Sequence, residues 1–260
     1  MKHKIITGIG SKDGGWIIDK TLKVVSQFSD KIIVLDDGST DNTKDICLSY
    51  DKVKWNERKK HDWVKREEGL QRQELIDLVK PHGPSYILWL DVDEIPTPSF
   101  IKYMENIDEN INMVAPTFIN LWGDEDHYRI DSYRTSTGAN MNWNPFTGGR
   151  KNGILMKYNP DIDYKYDLDC ERGPVGENHP SPLNVPQPYV KTDDWAIIHY
   201  GKLDPFFTSG EKNKMYSKQD EYVGRRSYDL GVQHHEMARI EGIPELVKVP
   251  EEWKWKILEK

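Results

Sequence analysis

Lys31-Ile32-Ile33-Val34-Leu35-Asp36-Asp37-Gly38-Ser39-Thr40-Asp41 is a β-branched apolar run that stops at two acids and a glycine. An apolar run without polar alternation is what a strand covered on both faces requires, and such strands belong to parallel sheets. Gly38 permits the turn. Ser39 or Thr40 can then cap a helix running to about Tyr50, with Asp41 in its acidic first turn.

The same alternation continues on either side. Upstream, Lys4 to Ile9 reads as a short buried strand opening at Gly8 and Gly10, and Trp16 to Phe28 follows as a helix. Downstream, Glu67 to Val79 carries Leu70, Leu75, Ile76 and Val79 on one helical face, and Pro81, Gly83 and Pro84 end it. Tyr86 to Leu90 is a third buried strand that runs into Asp91-Val92-Asp93-Glu94. Pro96 and Pro98 start a further helix to about Met104, and Met113 to Ile119 reads as another strand. This βαβαβ order predicts an α/β, Rossmann-like, mostly parallel sheet with helices on both faces. Ligands of such sheets bind beyond the carboxyl ends of the strands. Three polar clusters fall there: Gly8 to Asp13, Asp36 to Thr40, and Asp91 to Glu94.

The remainder is less regular. Residues 120 to 195 are rich in Asn, Asp, Gly, Pro and aromatics and read as short strands and long loops, and the proline-rich Pro174 to Pro188 reads as a stiffened loop. Trp195 to Tyr200 is a last short strand carrying His199. Ser209 to about Tyr222 and Leu230 to about Glu241 read as polar terminal helices.

Composition narrows the function. A chain of 260 residues can form one large α/β domain, or a core domain with an appended smaller region. Its formal charge of −7 argues against a general binder of nucleic acid or anionic membrane, which needs a basic face. Two cysteines, Cys47 and Cys170, make no disulfide framework and no metal-finger spacing, which suits a reducing cytoplasm. The apolar stretch after Lys4 is too short for a signal peptide, and no window is long enough to cross a bilayer. A soluble cytoplasmic protein is the expectation.

Two clusters carry chemistry by residue type alone. Side chains two apart on an extended segment point the same way, so Asp91 and Asp93 can aim at one divalent cation, a hard ion that takes oxygen ligands. The alternative is a solvated turn in which Asp91 or Glu94 caps the following helix; the buried strand Ile87 to Leu90 tilts the balance toward the metal. Asp36 or Asp37 can accept hydrogen bonds from a base imide or from ribose hydroxyls, and the helix N-terminus behind them favours anions. Ordinary capping of a strand-turn-helix junction is the equal alternative.

Together the motifs resemble a known family. Ile32 to Thr43 is similar to the signature of family 2 glycosyltransferases of the GT-A fold, and Trp89-Leu90-Asp91-Val92-Asp93-Glu94 looks like that family's metal-binding Asp-x-Asp. Glu68-Gly69-Leu70-Gln71-Arg72 between them resembles the stretch whose arginine approaches the nucleotide. The resemblance covers roughly residues 4 to 120. It implies a nucleotide-sugar-binding core over residues 1–120, with an acceptor-side region and C-terminal helices of the same domain over 121–260. It implies that Thr7, Gly8 and Ile9 line the base and ribose, that Asp36 or Asp37 contacts them, and that Arg72, Asp91 and Val92 adjoin the nucleotide sugar. Asp91 and Asp93 would hold Mn²⁺ or Mg²⁺, and His199 would complete the metal or diphosphate site; otherwise it is a structural histidine. Asp169 and Glu171 are the candidates for the base that takes the acceptor proton, with Asp124, Glu125 and Asp126 as alternatives. Lys12-Asp13 stands where many relatives carry Asn-Glu. Gly148 to Lys151 is an acceptor or phosphate contact, or an exposed turn. Trp122, Trp143 and Phe146 are a sugar platform or core.

The expected activity is metal-dependent, inverting transfer of a hexose-type sugar from a UDP-sugar to a hydroxyl acceptor, most readily a glycan. The acidic charge weighs against a nucleic-acid acceptor without closing that option. Two other readings stand beside it. A nucleotidyltransferase would use Gly8-Ile9-Gly10-Ser11-Lys12 as a phosphate loop, and a non-catalytic module binding a glycan or partner would need no metal.

Overall fold

The computed structural model describes residues 2–58, 68–134, 140–146, 153–166, 182, 184–205 and 244–258. Its strands are β1 (Ile5–Ser11), β2 (Lys31–Asp36), β3 (Val53–Glu57), β4 (Tyr86–Asp91), β5 (Glu94–Pro96), β6 (Met113–Trp122), β7 (Asp124–Arg129), β8 (Ser132–Arg134), β9 (Asn140–Asn142), β10 (Leu155–Lys157), β11 (Tyr189–His199) and β12 (Leu246–Lys248). Its helices are α1 (Ile18–Val25), α2 (Thr43–Leu48), α3 (Glu68–Val79) and α4 (Ser99–Glu105).

The long ladders are parallel. β1 lies between β2 and β4, with β3 outside β2, and β6 pairs in parallel with β11 farther across. Short antiparallel ladders join these groups through β10 and extend the sheet through β7 and β12, while β5 pairs back onto β11. Ten strands share this sheet, and β8 with β9 forms a separate pair. This is the mostly parallel, Rossmann-like sheet expected. β6 crosses residue 120, so strands from both sides of that position share one sheet.

Burial explains the strands. Ile6, Ile33, Val34, Ile87 and Leu88 are fully buried, each removing a side chain from water for roughly 1.5–3 kcal/mol. Faces alternate along β1. Thr7 turns to one side, where its hydroxyl meets that of Ser29 at 2.6 Å. Gly8 turns to the other, where a Cβ would lie 2.6 Å from the Trp89 indole and 3.2 Å from Leu75 of α3. Glycine there lets Trp89 and α3 press onto the strand.

Several elements differ from expectation. α2 starts at Thr43 rather than near Ser39, because residues 39–41 are spent on cross-links described below. α1 starts at Ile18 because the N–H groups of Ile17 and Ile18 both bond the Gly14 carbonyl in a tight turn. β3, β5 and β12 were not expected, β7 falls in the stretch expected to hold short strands and long loops, and β11 begins at Tyr189 instead of Trp195. The two expected terminal helices lie outside the described residues. No helix among the described residues is long and apolar enough to cross a membrane.

Candidate active site

Register sets the site. Ser11 stands opposite Asp36 and Gly10 opposite Asp91, so β1, β2 and β4 end on one rim.

The loop after β2 is folded by its own acids. Asp36, buried, accepts the N–H of Gly38 at 2.9 Å and of Ser39 at 2.8 Å, and also the Ser39 hydroxyl. Gly38 occupies the left-handed region at φ 80°. Asp41 accepts the N–H and hydroxyl of Thr43 and the N–H of Gly15. Burial pushes the Asp41 carboxyl up, but these donors outweigh it and hold the group below its ordinary range. From the loop after β1, Asp13 accepts the Thr40 N–H at 2.7 Å and gives its own N–H to the Ser39 hydroxyl at 2.8 Å. The Lys12 ammonium donates to the Gly38 carbonyl at 3.0 Å. The two loops are stitched into one unit, and Lys12 and Asp13 serve that stitching.

Asp37 turns toward other elements. Its Oδ1 accepts Arg58 Nη1 at 2.8 Å and its Oδ2 accepts Gln71 Nε2 at 2.6 Å. The Gln71 amide lies over Gly10, where a Cβ would come within 3.1 Å of its Oε1.

Asp91 closes β4 with its side chain 42% exposed. Its Oδ1 accepts Arg72 Nη2 at 2.8 Å, and its N–H donates to Glu94 Oε2 at 2.9 Å. Asp93 sits in the turn to β5, with its Oδ2 3.5 Å from Nε2 of His199 at the end of β11. His199 Nδ1 is 2.8 Å from Asn120 Oδ1. With Nδ1–H donating to that amide oxygen, Nε2 offers its lone pair toward Asp93, the orientation a metal-binding histidine needs. Gly201 keeps the corner clear, since a Cβ there would lie 2.5 Å from His199 Nε2 and 2.7 Å from Asp93 Oδ2.

An imidazole nitrogen and a carboxylate facing one cleared corner are donor types that a divalent cation accepts. The expected trio of Asp91, Asp93 and His199 is not drawn together. Among the described residues no group of three or more His, Cys, Asp or Glu is close enough to hold an ion. Asp91 meets Arg72 instead.

Thr7 and Ile9 are fully buried inside β1 and Trp89 packs against Gly8, while Gly10 and Ser11 end the strand at the rim. Asp36 spends its carboxylate within its own loop. Val92 packs on Gly14, and its carbonyl accepts the Thr21 hydroxyl at 2.6 Å, so it braces the turn. Trp122 and Trp143 are buried edge to face at 5.3 Å with the Arg129 guanidinium 4.6 Å from the Trp122 ring; they form core, not an open platform. Phe146 is half exposed. Asp124, Glu125 and Asp126 lie on β7 and pair with His127, Lys20 and Lys254. Asp169, Glu171 and Gly148 to Lys151 lie outside the described residues. Arg58 and Asn120 lie in no motif of the sequence, and Gly201 belongs to the segment His199-Tyr200-Gly201-Lys202 that is similar to the family's closing region.

Among curated proteins no sequence matches this chain. Solved structures that resemble it include TarS of S. aureus, at 18% identity and TM-score 0.40, over 46% of this chain and 22% of TarS. Glucosyl-3-phosphoglycerate synthase of Mycobacterium tuberculosis, solved with Mn²⁺, UDP and glucosyl-3-phosphoglycerate, resembles it at 20% identity and TM-score 0.33, over 45% of this chain and 44% of that one. 4-Diphosphocytidyl-2C-methyl-D-erythritol synthase of Anaerococcus prevotii does so at 16% identity and TM-score 0.38, over 59% of this chain and 70% of that one. The chain spans less than half the length of the first two, and TM-scores this low carry no function across. The family model described as glycosyl transferase family 2 matches residues 17–160, more than half of the chain. The chain therefore belongs to glycosyl transferase family 2.

Proposed function

We propose that the chain moves a hexose-type sugar from a UDP-sugar to a hydroxyl group of a glycan acceptor, with inversion at the anomeric carbon and with Mn²⁺ or Mg²⁺ as cofactor. One observation supports this beyond family membership: His199 meets Asp93 on the rim where Asp91 ends β4 and Asp37 follows β2, with β1 between the two strands. That rim is where ligands of open α/β sheets bind.

Each residue has a task in this reading. Asp37, pinned between Arg58 and Gln71, accepts from the uracil imide or the ribose. Arg72, beside Asp91, brings positive charge to the diphosphate. Asp93 and His199 Nε2 would hold the cation, whose chemistry when bound is to offset charge on the departing nucleoside diphosphate. Asp169 or Glu171 is the proposed base that takes the acceptor proton, a role read from the sequence alone.

Calorimetry with UDP, with and without Mn²⁺, together with donor-hydrolysis assays, tests the reading. UDP should bind more tightly with Mn²⁺, and Asp93→Ala should abolish metal-stimulated turnover while the circular dichroism spectrum holds. Metal-independent UDP binding with undiminished turnover in Asp93→Ala would overturn it. Preference for a nucleoside triphosphate with pyrophosphate release would favour the nucleotidyltransferase instead.

A further inference from the structure

We infer that Arg58 is a positioning residue for the nucleotide, acting through Asp37. The inference rests on the proposed contact of Asp37 with the base or ribose.

Three elements converge on one carboxylate. The Arg58 N–H donates to the Asp36 carbonyl at 2.9 Å, which fixes the end of β3 beside the Asp36-Asp37 pair. The side chain then divides its donors. Nη1 goes to Asp37 Oδ1 at 2.8 Å, and Nε goes to Glu74 Oε2 at 3.0 Å. Gln71 and Glu74 are three apart on α3 and so share a helical face. Gln71 grips Asp37 Oδ2 directly, and Glu74 grips the arginine that holds Oδ1.

The consequence is geometric. A carboxylate held through each oxygen by donors from different elements is restrained from rotating. Its direction is set before the ligand arrives, and preorganised acceptors bind better because no ordering cost remains. The Arg58 side chain is 3% exposed and that of Asp37 8%, so the arginine lies behind the carboxylate that it holds. Stability alone is a poor reason for this ion pair, because the cost of desolvating buried charges offsets much of their attraction. A planar fork aimed at two carboxylates is what lysine cannot reproduce.

The test is titration of UDP at fixed Mn²⁺ into wild type, Arg58→Met, Asp37→Asn and the double variant, with thermal melts and donor kinetics alongside. Each single substitution should raise the UDP dissociation constant about tenfold, the loss expected when one charge-assisted contact is misdirected. The double variant should bind no worse than Asp37→Asn alone, because both changes act on one contact. The donor KM should rise while kcat at saturating donor holds. Should Arg58→Met fail to fold, Arg58→Lys, which keeps the charge without the fork, should still weaken UDP binding. A lowered melting temperature with unchanged UDP affinity in the Arg58 variants would overturn the inference, as would additive losses in the double variant. If Asp37→Asn leaves UDP affinity intact, or wild type does not bind UDP, the nucleotide reading itself falls; if Asp37→Asn weakens binding and the Arg58 variants do not, only the role of Arg58 falls.

Discussion

Gly201→Ala places a methyl group in the corner between the two proposed metal ligands. It would start 2.5 Å from His199 Nε2 and 2.7 Å from Asp93 Oδ2, where ordinary contact begins at 3.4 Å. The imidazole must then withdraw by about 0.9 Å and the carboxylate by about 0.7 Å, since packed atoms do not interpenetrate. Both groups are side-chain ends, so the backbone need not move and the fold should survive. Metal ligation is less forgiving, because ligand distances hold within about 0.2 Å. His199 is also tethered to Asn120, which restricts how its ring can retreat. Losing one of two protein ligands should raise the half-saturating Mn²⁺ concentration about 100-fold, the upper end of what disturbed ligand support costs. The assay is UDP-sugar hydrolysis against Mn²⁺, with circular dichroism as the control for folding. An unchanged half-saturating concentration in folded Gly201→Ala would refute the placement of the cation between Asp93 and His199.

Other outcomes follow from the packing and the charges. Gly8→Ala would bring a Cβ to 2.6 Å from the buried Trp89 indole, so chemical denaturation should show a loss of about 1–3 kcal/mol; unchanged stability would mean that Trp89 moves freely there. The Asp41 carboxyl lies below its ordinary value of 3.8 in the fold, so its contribution is fully present above about pH 4 and is lost as pH falls through the depressed value. Wild type should therefore lose more stability than Asp41→Asn between about pH 5 and pH 2, and parallel curves would contradict this. Burial pushes the Cys47 thiol up to about 12, so in a Cys170→Ser background it should resist thiol reagents at mildly alkaline pH until denaturant is added.

The parallel core was legible because its strands are continuous apolar runs. β1, β2, β4 and β6 stand where those runs are, and α3 matches its predicted span within a residue. β3 was invisible because Val-Lys-Trp-Asn-Glu is a half-buried edge strand with no such run, and Arg58 was lost with it. β7 lies in a stretch legible only as short strands and loops, and its exposed opening acids hid its bounds. The first half of β11, from Tyr189, is polar and mostly exposed, so only its buried end announced itself. At the rim, residue types identified the acids but not their duties. Asp36 and Asp37 are adjacent and chemically equal; strand alternation and distant donors send one into its own loop and the other to Arg58 and Gln71. The pairing of His199 with Asp93 depends on β11 joining β5, a contact no local pattern specifies.

A crystal soaked with UDP and Mn²⁺, measured for anomalous scattering at the manganese edge, tests the central claim most directly. The account predicts one manganese peak about 2–2.5 Å from both an Asp93 oxygen and His199 Nε2, with the uracil or ribose of the same UDP on Asp37. Manganese bound away from Asp93 and His199, or UDP seated off the rim formed by β1, β2 and β4, would contradict it.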